Sequence, residues 1–275
     1  MSGATATFLL STGRTSTQSL AAMLAAARPD AVVEHEPLHA EHHSRDVFRR
    51  PERFAARLDR TPAIEAKFAE IEAHLAAGRS YIDTGWPVYA WLPYLAKRLG
   101  PAFRFAHLVR NPYSVAASFL THGFFAYDVP RGFQLKAAIH AGDPALAHPE
   151  LAAEAERFTP YEHNLFHWLE LNAFALECHA LPGFAGLFRY ETLYEGEVPA
   201  LPALLESLGG PAARAAPPLH VDRHRQPLER GLRLRSAPLD RAVRDLAERL
   251  GYDPAGLARL ADPEALSRNY SRAPG

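Results

Sequence analysis

The chain has a single cysteine, Cys178, among its 275 residues. That excludes an internal disulfide and any metal site built on several thiolates, and leaves Cys178 as a small side chain in an apolar helical stretch. Net charge is nearly missing as well: 30 basic residues against 31 acidic ones give no global field to attract nucleic acid or an acidic membrane. Any anion site must therefore be local. No apolar run reaches membrane-spanning length, and the N-terminus lacks the basic segment and apolar core of an export signal. The expectation is a soluble, cytoplasmic chain with no membrane span. Clean linkers, internal repeats and long low-complexity tracts are also lacking, which favours one domain over residues 1–275. Within it, residues 123–160 carry several Gly, Pro and His and read as a lid or acceptor-binding insertion.

What the chain does have is apolar material, 48% by count, enough for a sizeable core. Its wealth of Ala, Arg, Leu and Pro fits a GC-rich bacterial genome. Apolar runs and periodicities predict strands over 5–10, 31–34, 80–84, 103–109 and 186–190. They predict helices over 15–27, 51–77, 92–99, 113–120, 161–181, about 198–208 and 238–250. Strands alternating with helices imply an α/β fold, a mostly parallel central sheet flanked by helices in three layers.

Two segments carry chemistry. In the first, the apolar run Phe8-Leu9-Leu10 breaks into Ser11-Thr12-Gly13-Arg14-Thr15-Ser16-Thr17-Gln18-Ser19 and then enters a helix. Strand, small-residue loop and helix N-terminus bind anions, because unpaired N–H groups and the helix dipole converge there. The plain structural alternative is a capped helix after an edge strand. The second segment, His107-Leu108-Val109-Arg110-Asn111-Pro112-Tyr113-Ser114-Val115-Ala116-Ala117-Ser118, leaves a strand and opens another helix. Ligands of open parallel sheets gather at such strand ends. Arg110 and, two helical turns on, Ser118 suit a phosphate, whereas an Arg alone there is more often an ion-pair partner.

Taken together, the two segments resemble the PAPS-dependent sulfotransferases, closest in style to bacterial and carbohydrate members. Ser11 to Leu20 looks like the family's 5′-phosphosulfate loop, and Leu108 to Ser118 like its 3′-phosphate segment. Arg189-Tyr190-Glu191-Thr192-Leu193 is similar to the late strand end of the family, and Tyr81-Ile82-Asp83-Thr84 falls at the expected place before the Arg110 strand. The resemblance covers residues 5 to about 250. It implies a P-loop-like sulfotransferase fold with PAPS as donor and PAP as product, held by Gly13, Arg14, Thr15, Ser16, Thr17, Gln18, Arg110 and Ser118. It also brings in Arg223 and Arg225 of a late basic loop.

For catalysis the resemblance points to Arg14 on the leaving group and Glu36 of Glu34-His35-Glu36-Pro37 as base, with His35 and His39 as alternatives. Arg14 stands where cytosolic members have Lys, Ser16 where Gly is frequent, and Asp83 where many relatives have Lys. The implied partner is a small hydroxyl acceptor, with no nucleic acid, a possible homodimer and no metal. His39, His42 and His43 read as a solvated cluster rather than ligands. Trp86, Tyr89, Trp91, Phe124, Phe125 and Tyr127 are candidate acceptor-lining aromatics, or plain core. Two other functions compete: a catalytically silent PAP-binding protein, and a P-loop kinase. The kinase needs Gly-x4-Gly-Lys-Ser/Thr, and no Gly-Lys pair lies near the loop.

Overall fold

The computed structural model describes residues 3–125, 133–193, 199–210, 232–264 and 266–267. In chain order its elements are β1 Ala6–Leu10, α1 Thr17–Ala27, β2 Val32–Glu34, α2 Ser44–Val47, α3 Pro62–Ala76, β3 Tyr81–Asp83, α4 Leu92–Leu99, β4 Phe103–Val109, α5 Pro112–Leu120, α6 Phe133–Ala137, α7 Pro160–Cys178, β5 Phe184–Arg189, α8 Leu201–Ser207, α9 Ala237–Arg249 and α10 Pro254–Leu260. They fall into two compact units: Met1–Val109 with Ala175–Pro218, and Arg110–Phe174 with Leu219–Gly275.

The first unit is built on a five-stranded sheet in the order β2-β3-β1-β4-β5, with every pairing parallel. The expected α/β class with a parallel sheet between helices is what the chain forms. All five residues of β1 are buried, as befits a central strand covered on both faces. Register sorts its side chains. Leu9 pairs with Ala106 and Thr7 with Ile82, and that face packs with Leu20 and Leu24 of α1 and Leu201, Leu204 and Leu205 of α8. The other face is aromatic: Phe8 lies 6.1 Å from Tyr81 and 5.9 Å from Phe103, ring centre to ring centre. There α3 is held by Lys67, whose Nζ donates to both Glu34 oxygens at 3.1 and 2.9 Å, while Tyr81 Oη donates to Glu34 Oε2 at 2.6 Å. Parallel pairing aligns all the strand C-termini on one edge of this sheet.

The expected helix over 51–77 is two pieces. Residues Phe54–Leu58 form one wide turn, closed by Asp59 N–H on Phe54 O at 2.9 Å. The helix proper starts at Pro62; a proline favours the first helical position and disfavours helix in the residue before it. Phe54, Ile64, Phe68 and Ile71 are nevertheless all buried, because the apolar spacing survives the break.

The second unit is helical and carries buried polar groups paired with backbone. Glu162 accepts from Thr159, Arg235 and Ser236 N–H at 2.7, 2.6 and 2.7 Å. Glu170 accepts from Ala147 and His148 N–H, both at 2.8 Å. His167 Nδ1 accepts from Ile139 N–H at 3.1 Å, and burial pushes its imidazole down to about 3. Among the described residues of 123–160, α6 and a 3-10 turn over Pro149–Arg157 give this segment some regular structure.

Candidate functional site

The site grows from the end of β1. Ser11, Thr12, Gly13 and Thr15 are buried there, with Arg14 and Ser16 half-buried. Gly13 N–H donates to Ser11 Oγ at 3.1 Å and the Thr12 hydroxyl to Gly13 O at 3.2 Å, which ties the turn to itself. Gly13, Arg14 and Ser16 have φ of 79°, 59° and 60°. The left-handed region costs a residue with a Cβ roughly 1–2 kcal/mol, and such strain collects where a ligand is clamped. At Gly13 nothing larger fits: a Cβ would stand 2.8 Å from Trp86 Cδ1 and 2.9 Å from its Nε1.

α1 therefore starts open. Ser16 takes the N-cap position, yet its side chain caps nothing and the first turn has no acidic residue. The hydroxyl donates instead to Tyr190 Oη, at 3.4 Å. First-turn amides have no intrahelical acceptor, and the positive end of the dipole is left uncompensated. Thr15 is fully buried and its Oγ1 has no hydrogen-bond partner among the described residues. An orphaned hydroxyl of this kind costs about 1–3 kcal/mol, which an anion accepting from it would offset. The donors at the helix start are thus backbone amides and hydroxyls, with Arg14 in the same loop, the chemistry that fits a phosphate or sulfate.

The neighbouring strand ends close around this loop. Thr84 Oγ1 donates to Thr17 O at 3.0 Å and lies 3.5 Å from His35 Nδ1. His35 Nε2 is 3.7 Å from Glu36 Oε1, and burial holds the imidazole below its usual value, so at neutral pH it is uncharged. Glu36 is left-handed too, at φ 53°, and about a quarter of its side chain is exposed (27%). Glu34 is otherwise employed, in the Lys67 and Tyr81 bonds. The loop, His35, Glu36, Thr84, Trp86 and Tyr190 thus belong to one linked cluster at the strand C-termini.

Asp83 is the residue that sequence reasoning undervalued. Only its departure from the usual Lys was legible. In the structure it is buried, and its Oδ1 accepts from Gly85 N–H at 2.7 Å. Burial pushes its carboxyl up to about 7, against the Gly85 bond and with help from the charges of Glu34 and Glu36.

Arg110 and Ser118 belong to the other unit, on either side of α5. Arg110 O accepts from Trp168 Nε1 at 2.9 Å. Asn111 Oδ1 accepts from Tyr113 and Ser114 N–H at 3.0 and 3.1 Å, and Pro112 fills the first helical position. Ser118 is buried near the end of the helix, its carbonyl accepting from Thr121 Oγ1 at 2.7 Å and His122 Nδ1 at 2.9 Å. Arg223, Arg225 and Tyr127 lie outside the described residues, as does the His39 side chain.

Several expected surface or pocket residues are core. His42 is fully buried and its ring faces Trp91 at 6.1 Å, so it does not join a solvated cluster; His43 meets Glu41 and Asp46. Trp91 donates to His42 O at 2.9 Å and packs edge-on against Phe54. Tyr89 is buried parallel to Trp86, 6.2 Å away. Phe124 stacks on Phe119 at 4.5 Å and Phe125 on His163 at 5.2 Å. Cys178 is buried, which pushes its thiol well above the usual range.

The fold and site define an α/β protein with a left-handed loop and an uncapped helix start at the end of the middle strand of its sheet. No family model matches the chain, and no curated protein does. Among solved structures it is similar to a sulfotransferase from Alicyclobacillus acidocaldarius, with 15% identity, 94% of this chain and 97% of that one covered, and a TM-score of 0.48. It is also similar to the sulfotransferase domain from the curacin biosynthetic pathway, with 17% identity, 95% and 98% covered, and a TM-score of 0.46. Likenesses this weak carry no argument of their own, and the fold class rests on the sheet itself. No described helix is long and apolar enough to cross a membrane.

Proposed function

We propose that the chain is a sulfotransferase that moves a sulfuryl group from PAPS to a hydroxyl of a carbohydrate or other small metabolite by in-line displacement. The observation that carries the reading is the uncapped N-terminus of α1 behind left-handed Gly13, Arg14 and Ser16, in the loop whose sequence resembles the phosphosulfate loop. PAPS supplies a sulfuryl group already joined to a good phosphate leaving group. Arg14 and the first-turn amides of α1 stabilise the charge that grows on that phosphate oxygen, in a transition state expected to be loose by analogy with phosphoryl transfer. Glu36 takes the proton of the acceptor hydroxyl. His35, uncharged and beside it, is the alternative acceptor of that proton. Arg110 and Ser118 supply side-chain donors to the 3′-phosphate.

Thermal unfolding with PAP, AMP, ADP and ATP–magnesium at equal concentration tests the reading. A ligand at about a hundred times its dissociation constant stabilises the native state by roughly 2.7 kcal/mol, which a melting curve resolves. A shift with PAP well beyond that with AMP is expected, and Arg110→Ala should remove the excess. A shift with ATP–magnesium alone would replace the reading with a kinase.

A further inference from the structure

We infer that Asp83 is a positioning residue for Glu36: its buried carboxyl braces the turn after β3 against the backbone of Glu36. The inference rests on the reading of Glu36 as the proton acceptor of sulfuryl transfer. Two observations place Asp83 there. Its Oδ1 accepts the Gly85 N–H at 2.7 Å, which fixes the turn into Trp86. Gly85 in turn lies against Glu36 so closely that a Cβ on it would meet Glu36 N at 2.7 Å, Asp83 Oδ1 at 2.9 Å and Glu36 Cα at 3.0 Å. Carboxyl, glycine and left-handed Glu36 are one packed unit, and a shift of the Asp83 side chain displaces the backbone that presents Glu36.

The neighbouring carboxylates are engaged elsewhere: Glu34 is held by Lys67 and Tyr81, and Glu70 by Lys67 at 2.6 Å. Burial pushes the Asp83 carboxyl up to about 7, in keeping with its enclosed place behind Gly85.

The backbone amide resonance of Glu36 in the intact protein tests this without any acceptor substrate; an amide that Asp83→Ala leaves unmoved overturns the brace. Asp83→Asn, which keeps an acceptor for Gly85 N–H, should leave the Glu36 amide resonance in place, and Asp83→Ala should displace it. Should the alanine variant fail to fold, the Asn variant decides, since a displaced Glu36 amide in Asp83→Asn also contradicts the brace. PAP-induced melting shifts are read in parallel. If PAP fails to stabilise the wild type, the sulfotransferase reading fails, while the resonances still judge Asp83.

Discussion

Two helices of this chain begin where a parallel strand ends, and they begin in opposite ways. α5 follows β4 through Asn111 and Pro112, and Asn111 Oδ1 takes the N–H groups of Tyr113 and Ser114. α1 follows β1 through a loop with left-handed Arg14 and Ser16, a cap position that caps nothing, and a buried Thr15 hydroxyl without partner among the described residues. A helix that satisfies its own first turn has few amides left for a ligand. One that leaves them open, at a cost in strain, keeps them for a ligand under the proposed function. In the proposed function the Arg110 segment would grip a phosphate with side chains, and the Arg14 segment with backbone.

The buried acids repeat the contrast. Glu162 accepts three backbone N–H groups and Glu170 two, whereas among the described residues Asp83 accepts from Gly85 N–H. The largest expected effect follows from that. An Asp whose folded value is raised to about 7 contributes stability fully present below its unfolded value near 3.9. That stability is lost as pH rises through 7. Asp83→Asn should thus match the wild type near pH 4 and gain on it up to pH 7, with a plateau on the order of 4 kcal/mol. Urea unfolding across pH checks this; a constant difference would show that Asp83 is ionised throughout.

Gly13→Ala comes next. A Cβ against Trp86 in a left-handed residue should cost about 2–3 kcal/mol and abolish PAP stabilisation, both read from melting curves. Asn111→Ala should cost about 1–2 kcal/mol by loss of a cap, with PAP binding retained, whereas Ser16→Ala should cost little because Ser16 caps no amide. Ser16→Gly sharpens the comparison: relief of the left-handed strain should stabilise the apo protein by about 0.5–1 kcal/mol. Asn111→Gly should not stabilise it. Equal effects at both caps in urea titrations would erase the distinction between the two helix starts.

Much of this architecture is legible in the sequence because its signals are local. Short apolar runs mark every strand to within about two residues, and Gly100-Pro101 and Asn111-Pro112 punctuate helix ends correctly. The helix expected over 51–77 went unbroken because its apolar spacing continues through the wide turn at Phe54–Leu58, and only Pro62 hints at the restart. The loop, Arg14, His35 and Glu36 are candidates by type and order, and the structure places the loop, His35 and Glu36 together at the strand C-termini. What order does not reveal is long-range pairing: Ser16 with Tyr190 across 174 positions, or Glu34 consumed by Lys67. Nor does composition show burial, which makes Asp83 an uncommon acid and turns His42 and Trp91 into core.

The most direct test of the account is a titration of the backbone amide resonances with PAP. The open helix start requires the largest changes at Arg14 through Gln18, with the Tyr113 and Ser114 amides, held by Asn111, nearly still. Saturable binding that moves Tyr113 and Ser114 while Arg14 to Gln18 stay unchanged would contradict it.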